Sequence, residues 1–172
     1  MNRQRHTGFT LIELLVVLVL MGIMISMVVL SVGGQREKQL RGEIQRLQQV
    51  MRLAHEEAIL NRYELAIKFR PHAYEFQVQE DDKWLTLDTP DFMRRREMEP
   101  DFEFSLQQDG INAPLQDEDT GRILLASSGE TTPFVLELRL AGTNTRYVLT
   151  GSAYGEFSIE GMNSNMPGAQ ES

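Results

Sequence analysis

The chain has 172 residues, with 25 acids against 17 lysines and arginines, a formal net charge of −8 and no cysteine. Nucleic-acid binding rests largely on Lys and Arg neutralising phosphates, so this balance argues against such a partner. Without cysteine there is no disulfide framework, no thiol nucleophile and no cysteine-ligated metal.

The first predicted element follows a short basic start. Arg5-His6-Thr7-Gly8-Phe9-Thr10-Leu11-Ile12-Glu13 leads into an apolar stretch in which residues 14–32 carry no charge, broken only by Gly22, Ser26 and Ser31. A helix over those residues would span about 29 Å at about 1.5 Å per residue, close to the ~30 Å hydrocarbon core of a bilayer. A carboxylate at a membrane helix end is unfavourable unless it gains a partner, so Glu13 is a functional candidate. Arg3 and Arg5, with no early acid, put the N-terminus on the cytoplasmic side and the remainder outside. A secretory signal peptide would have a shorter apolar core followed by a small-residue cleavage site, and this stretch is longer and carries no A-x-A. A plain signal anchor has no need of Gly-Phe or of an acid at the membrane edge.

A second, amphipathic helix is predicted over residues 35–61. Leu40, Ile44, Leu47, Met51, Ala54 and Ala58 recur at spacings of three and four and share one face, while charged residues cover much of the rest. Gly33-Gly34 is expected to loosen the junction, because glycine costs about 1 kcal/mol per site in a helix. If the helix continues regardless, residues 9–61 make a rod of roughly 80 Å. No compact domain of this size encloses such a rod, so its first half belongs in the membrane or in a helical assembly.

Beyond Asn61 the period changes to two. Residues 64–70 and 74–80 alternate around a Pro71-His72-Ala73 turn, and 84–87 follow an Asp81-Asp82-Lys83 turn. Further strands are predicted over 102–106, 122–126, 134–140, 147–150 and 156–159, the later ones separated by Gly129, Gly142, Gly151 and Gly155. One long helix followed by antiparallel strands is an α+β pattern. Residues 88–119, rich in acids and prolines, are expected to form a variable loop or insertion. Residues 161–172 have no period and read as a disordered tail.

Gly8-Phe9-Thr10-Leu11-Ile12-Glu13 resembles the type III signal of type IV pilins and type II secretion pseudopilins. The resemblance implies cleavage between Gly8 and Phe9 by a prepilin peptidase, N-methylation of Phe9 by the same enzyme, and a pairing role for Glu13. Removal of the leader would leave 15 basic residues against 25 acids, a side-chain charge of −10. The Ser127-Ser128-Gly129-Glu130-Thr131-Thr132-Pro133-Phe134 run, then Arg146-Tyr147-Val148-Leu149-Thr150 and Gly155, is similar to the C-terminal region of the general secretion pathway protein H family and to related minor pilins of type IV pili. The resemblance implies a pilin-like fold, with a long N-terminal helix packed on a C-terminal antiparallel β-sheet domain. It divides the chain into a cleaved leader (1–8), a membrane and fibre-core helix (9–32), an amphipathic half-helix (33–62), a periplasmic β-rich domain (63–160) and the tail (161–172). The implied partners are the major pseudopilin, other minor pseudopilins, the prepilin peptidase, the inner membrane and exported proteins. In a fibre, Glu13 would pair with the terminal amine of a neighbouring subunit, because an unpaired buried carboxylate is costly.

Other constellations do not carry chemistry. Asp117-Glu118-Asp119-Thr120-Gly121 lacks the EF-hand spacing and is expected to be a solvated acidic turn rather than a calcium site. Arg94-Arg95-Arg96 is flanked by Asp91, Glu97, Glu99 and Asp101 and reads as a self-neutralised loop. His6, His55 and His72 show no metal-ligand spacing, and Ser127-Ser128-Gly129 is not a G-x-S-x-G elbow. Gly22 and Ser26 form a small-xxx-small pair, read either as a helix-packing notch or as a local irregularity.

No catalytic residue, cofactor or metal is therefore expected. The leading function is a minor pseudopilin near the tip of a short periplasmic pseudopilus that helps export folded proteins across the outer membrane. The alternatives are a type IV pilus minor pilin that binds a ligand such as DNA, and a membrane-anchored periplasmic enzyme or sensor. The first alternative should show a basic patch or basic tail, whereas residues 161–172 contain Glu171 and neither Lys nor Arg.

Overall fold

The computed structural model describes residues 11–117 and 120–163, without side-chain detail for 25–33, 162 and 163. It falls into two compact units, Met1–Arg36 and Glu37–Ser172. A single helix, α1 (Leu11–Asn61), contributes to both and stays helical through Gly33-Gly34, where loosening was expected.

In the first unit α1 is apolar all round, and its large side chains are exposed, from 42% at Val17 to 86% at Leu11. A helix of that kind is stable only when something apolar surrounds it. Among the described residues no helix is long and apolar enough to cross a membrane. The expected span, 9–32, lies partly outside them, since the described apolar side chains stop at Met24.

The second unit has its own core. All six apolar positions picked out by helical spacing, from Leu40 to Ala58, are buried to within 1% of full burial, and Val50 joins them. The helix ends where expected: Asn61 Nδ2 donates to Glu57 Oε1 at 2.8 Å, and Arg62 takes a left-handed φ of 56°. A left-handed residue just past the last turn is a usual way to stop a helix.

Among the described residues ten strands follow: β1 (Leu65–Arg70), β2 (Ala73–Glu80), β3 (Lys83–Thr86), β4 (Arg96–Glu97), β5 (Phe102–Gln108), β6 (Ile111–Ala113), β7 (Arg122–Leu125), β8 (Phe134–Leu140), β9 (Thr145–Gly151) and β10 (Phe157–Asn163). They form two antiparallel sheets. One has the order β3-β2-β1-β7, with β4 also pairing β2, and the other has the order β10-β9-β8-β5-β6. Alternation sends Phe134, Leu136, Leu138 and Leu140 of β8, and Phe102, Phe104 and Leu106 of β5, into one core shared with α1. Leu65, Ile67 and Phe69 of β1 and Tyr74 and Phe76 of β2 enter the same core from the first sheet.

The structure corrects two expectations. The described part of the expected 88–119 loop, residues 88–117, is woven into the domain: it holds a 3-10 turn (Asp91–Met93), β4, β5 and β6, and Met93, Met98 and Leu115 are buried. Ala73 pairs with Glu97 and Tyr74 with Arg96, stitching this segment to the edge of β2. The β5–β6 connection is an Asp109-Gly110 hairpin with φ of 52° and 74°, a two-residue turn whose dipeptide is itself a strong hairpin signal. Finally, β10 runs through Asn163, three residues into the expected tail, and 164–172 lie outside the described residues.

Candidate assembly surfaces

Gly8 and Phe9, the expected processing site, lie outside the described residues. Glu13 sits in the first turn of α1 and is exposed. An acid there is favoured by the positive end of the helix dipole. Around Gly22 the surface is open: a Cβ built at that position would meet nothing within 4 Å. At about 100° per residue, Gly22 falls on the side of the helix opposite Glu13, so the acid and the glycine lie on different faces. Ser26, the other half of the small-xxx-small pair, is helical, but its side chain is outside the described residues.

In the domain, each arginine of the Arg94-Arg95-Arg96 run has its own carboxylate. Arg94 pairs with Asp91 at 2.9 Å and Arg95 with Glu97 at 2.7 Å. Arg95 also reaches the nearly buried Glu75 at 3.4 Å. Arg96 forms a two-pronged pair with Glu43 of α1, at 2.6 and 3.0 Å. That hydrogen bonding holds the Arg96 guanidinium above its usual range, and the pair ties β4 to the helix. The self-neutralised reading holds, although Glu43 and Glu75 come from other elements. Beside this pair, burial raises the Tyr74 hydroxyl above its ordinary value.

His55 and His72 are structural, and His6 lies outside the described residues. His55 shares a 2.9 Å hydrogen bond with the carbonyl of Gly129 and stands edge-on to Phe157 at 6.1 Å. A Cβ on Gly155 would lie 2.2 Å from its ring, so glycine there lets the β9–β10 turn close on the helix. His72 makes a 2.9 Å hydrogen bond with the carbonyl of Phe102. Ser127 Oγ donates to Glu64 Oε1 at 2.7 Å, pinning its turn to the start of β1.

One buried charge escaped sequence reasoning. Lys68 of β1 is fully buried on the face of the sheet away from the core and donates to the carbonyls of Asp117 and Thr120. Strict alternation places it on a face that reads as solvated, and nothing local in the sequence announces that Asp117 and Thr120 cover it. Gly121 makes the cover possible, because a Cβ there would sit 3.2 Å from the Phe69 carbonyl. The Asp117 carbonyl is thus engaged by the protein's own ammonium, which disfavours a metal cation at that oxygen. Among the described residues no group of three His, Cys, Asp or Glu side chains is placed to hold a metal ion.

Comparisons with known proteins agree in both regions. Residues 3–29 match a family model described as a prokaryotic N-terminal methylation motif, and residues 43–155 match the model of type II transport protein GspH. The type II secretion system protein H of Aeromonas hydrophila is 26% identical over 167 residues, covering 89% of this chain and 91% of that one. Its counterpart in Pseudomonas aeruginosa is 30% identical over 148 residues, covering 81% and 86%. Among solved structures, the minor pseudopilin EpsH from the type 2 secretion system of Vibrio cholerae superposes with a TM-score of 0.58 at 21% identity, over 70% of this chain and 95% of that one. The solution structure of Escherichia coli GspH gives 0.56 at 21% identity, over 76% and 94%. At these identities the structural likeness concerns the fold.

Proposed function

The chain belongs to the family of type II transport protein GspH, and on that premise we propose how it works as a minor pseudopilin of the type II secretion system. It is a structural subunit near the tip of the periplasmic pseudopilus, where it helps export folded proteins across the outer membrane. The observation that carries this is the joining of a methylation motif and an all-round apolar helix to a GspH-type domain in one chain.

The prepilin peptidase cuts after Gly8 and methylates the new amine of Phe9. The helix then holds the subunit in the inner membrane, N-terminus inward and domain in the periplasm. Within the membrane or the fibre bundle, the amine of Phe9 and the carboxylate of Glu13 neutralise each other, first within one chain and then between neighbours. Intermolecular pairing supplies attraction and axial register together, since either charge left alone in an apolar bundle is strongly unfavourable. Gly22 and Ser26 let a second neighbour approach on the opposite side of the helix. The domain contributes scaffold and contact surface to the major pseudopilin, the other minor pseudopilins and the exported protein.

A strain lacking this chain should retain its exported proteins in the periplasm, and the wild-type chain should restore their release. Normal secretion in that strain, with loss of DNA uptake instead, would move the chain to a type IV pilus. The relatives named above do not favour that alternative, and neither does the acidic balance of the chain.

A further inference from the structure

Natural sheets blunt their free edges, and most edges here are short: β3 and β7 have four residues, β6 three and β4 two. The edge strand β10 is the exception, with seven residues. Its outer side begins as if a neighbour were present, because the Phe157 carbonyl accepts hydrogen bonds from Gln48 Nε2 at 2.8 Å and Arg52 Nη2 at 3.0 Å. Along an antiparallel strand the outward-facing backbone groups recur every second residue, so the next ones belong to Ile159 and Gly161. Beside them lies a groove of about 460 Å³ lined by Arg41, Gln45, Gln48, Tyr147, Ile159 and Gly161. Neither Ile159 nor Gly161 makes a backbone hydrogen bond outside its own sheet among the described residues. The facing helix offers an exposed guanidinium, Arg41, with no carboxylate in ion-pair reach among the described residues, and the amide of Gln45. Gly161 adds no side chain to the groove, and a Cβ there would stand 3.1 Å from the Tyr147 ring of the adjoining strand.

We infer that this groove receives an extended acidic segment of a neighbouring fibre subunit, which pairs with β10 at Ile159 and Gly161 as an added strand and sets a carboxylate against Arg41. Main-chain pairing would supply affinity and the guanidinium the preference for acid. A guanidinium on an otherwise acidic chain is the specific element. Only the source of the segment rests on the secretion reading. The groove runs beside the same helix that places the subunit in the fibre, so its occupant comes from an adjacent subunit.

The test uses the full chain in detergent micelles with a short capped peptide alternating glutamate and valine, and a lysine–valine peptide as control. The acidic peptide should bind and slow hydrogen exchange at the amides of Ile159 and Gly161, while the lysine peptide should do neither. Arg41→Glu, at an exposed helix position, should weaken binding about tenfold without loss of folding. Gly161→Pro should abolish it by removing an edge donor. Three results overturn the proposal: equal binding of both peptides, binding without slowed exchange at these amides, or amides already slow in the free full chain. For the source, a photo-crosslinker at Gln45 in secreting cells should capture an extended segment of another subunit whether or not an exported protein is being made. Capture only in the presence of an exported protein overturns that assignment while leaving the peptide result intact.

Discussion

The stretches 11–24 and 40–58 lie on one helix, and both are rich in apolar side chains, yet they place them differently. In the second, the apolar residues keep to one stripe, and the six predicted core positions are 0–1% exposed. In the first they go all round, and none of the large ones is less than 42% exposed. The difference teaches what each stretch was built to meet. A stripe is answered by a single neighbour, here the two sheets of the same chain, so the domain satisfies itself. An all-round apolar surface can be answered only by lipid or by several other helices, so the arm draws its stability from outside the chain.

The largest expected effect tests that dependence. Glu13→Val should leave leader cleavage intact, as read by gel mobility, and collapse secretion. An unpaired amine in an apolar bundle costs about 3 kcal/mol, or more than about a hundredfold in an assembly equilibrium. Secretion at the parent level would remove the register argument. Next, Ile44→Ala should lower the unfolding free energy of the domain by about 3 kcal/mol, because it leaves a cavity in the core. Leu18→Ala should leave the same denaturation curve in place, since that side chain is exposed. If both substitutions shift the curve equally, the division between the two stretches is wrong. Gly155→Ala should cost about 2–3 kcal/mol, as a Cβ would meet the His55 ring at 2.2 Å and the backbone there has φ of 76°.

Two smaller effects sharpen the picture of the domain. Burial raises the Tyr74 hydroxyl in the folded state. The folded protein therefore holds that proton more tightly than the unfolded chain does. Its contribution is fully present below about pH 10, the unfolded value, and is lost as pH rises through the folded one. Circular dichroism against pH should show a plateau through neutrality and an alkaline loss that Tyr74→Phe lessens. Arg139→Ala, which removes an exposed pair with Glu103, should change stability by less than about 0.5 kcal/mol.

Helical spacing alone found the buried face of α1, and the change of period after Asn61 found most of the strands, because both are local signals. What was not legible depends on distant partners. The two-residue β4 has no periodicity of its own and exists because Tyr74 and Ala73 offer it an edge. Lys68 reads as a solvated strand residue until the carbonyl of Asp117, nearly fifty positions later, meets it. The Arg96–Glu43 pair joins residues 53 apart, so the flanking acids were the natural partners to expect. The Asp109-Gly110 dipeptide is itself a legible turn signal, masked by the acidic, proline-bearing stretch around it. At the assembly surface, Gly8, Phe9 and Glu13 were read from a motif, and the groove along β10 needed the fold.

The most direct test of the two-part account is secretion by a deletion strain supplied with periplasm-targeted residues 34–172 in place of the full chain. The account predicts a fragment that unfolds cooperatively, like the intact domain, and restores no secretion. Restored secretion would show that the domain works without its apolar arm and would contradict the account.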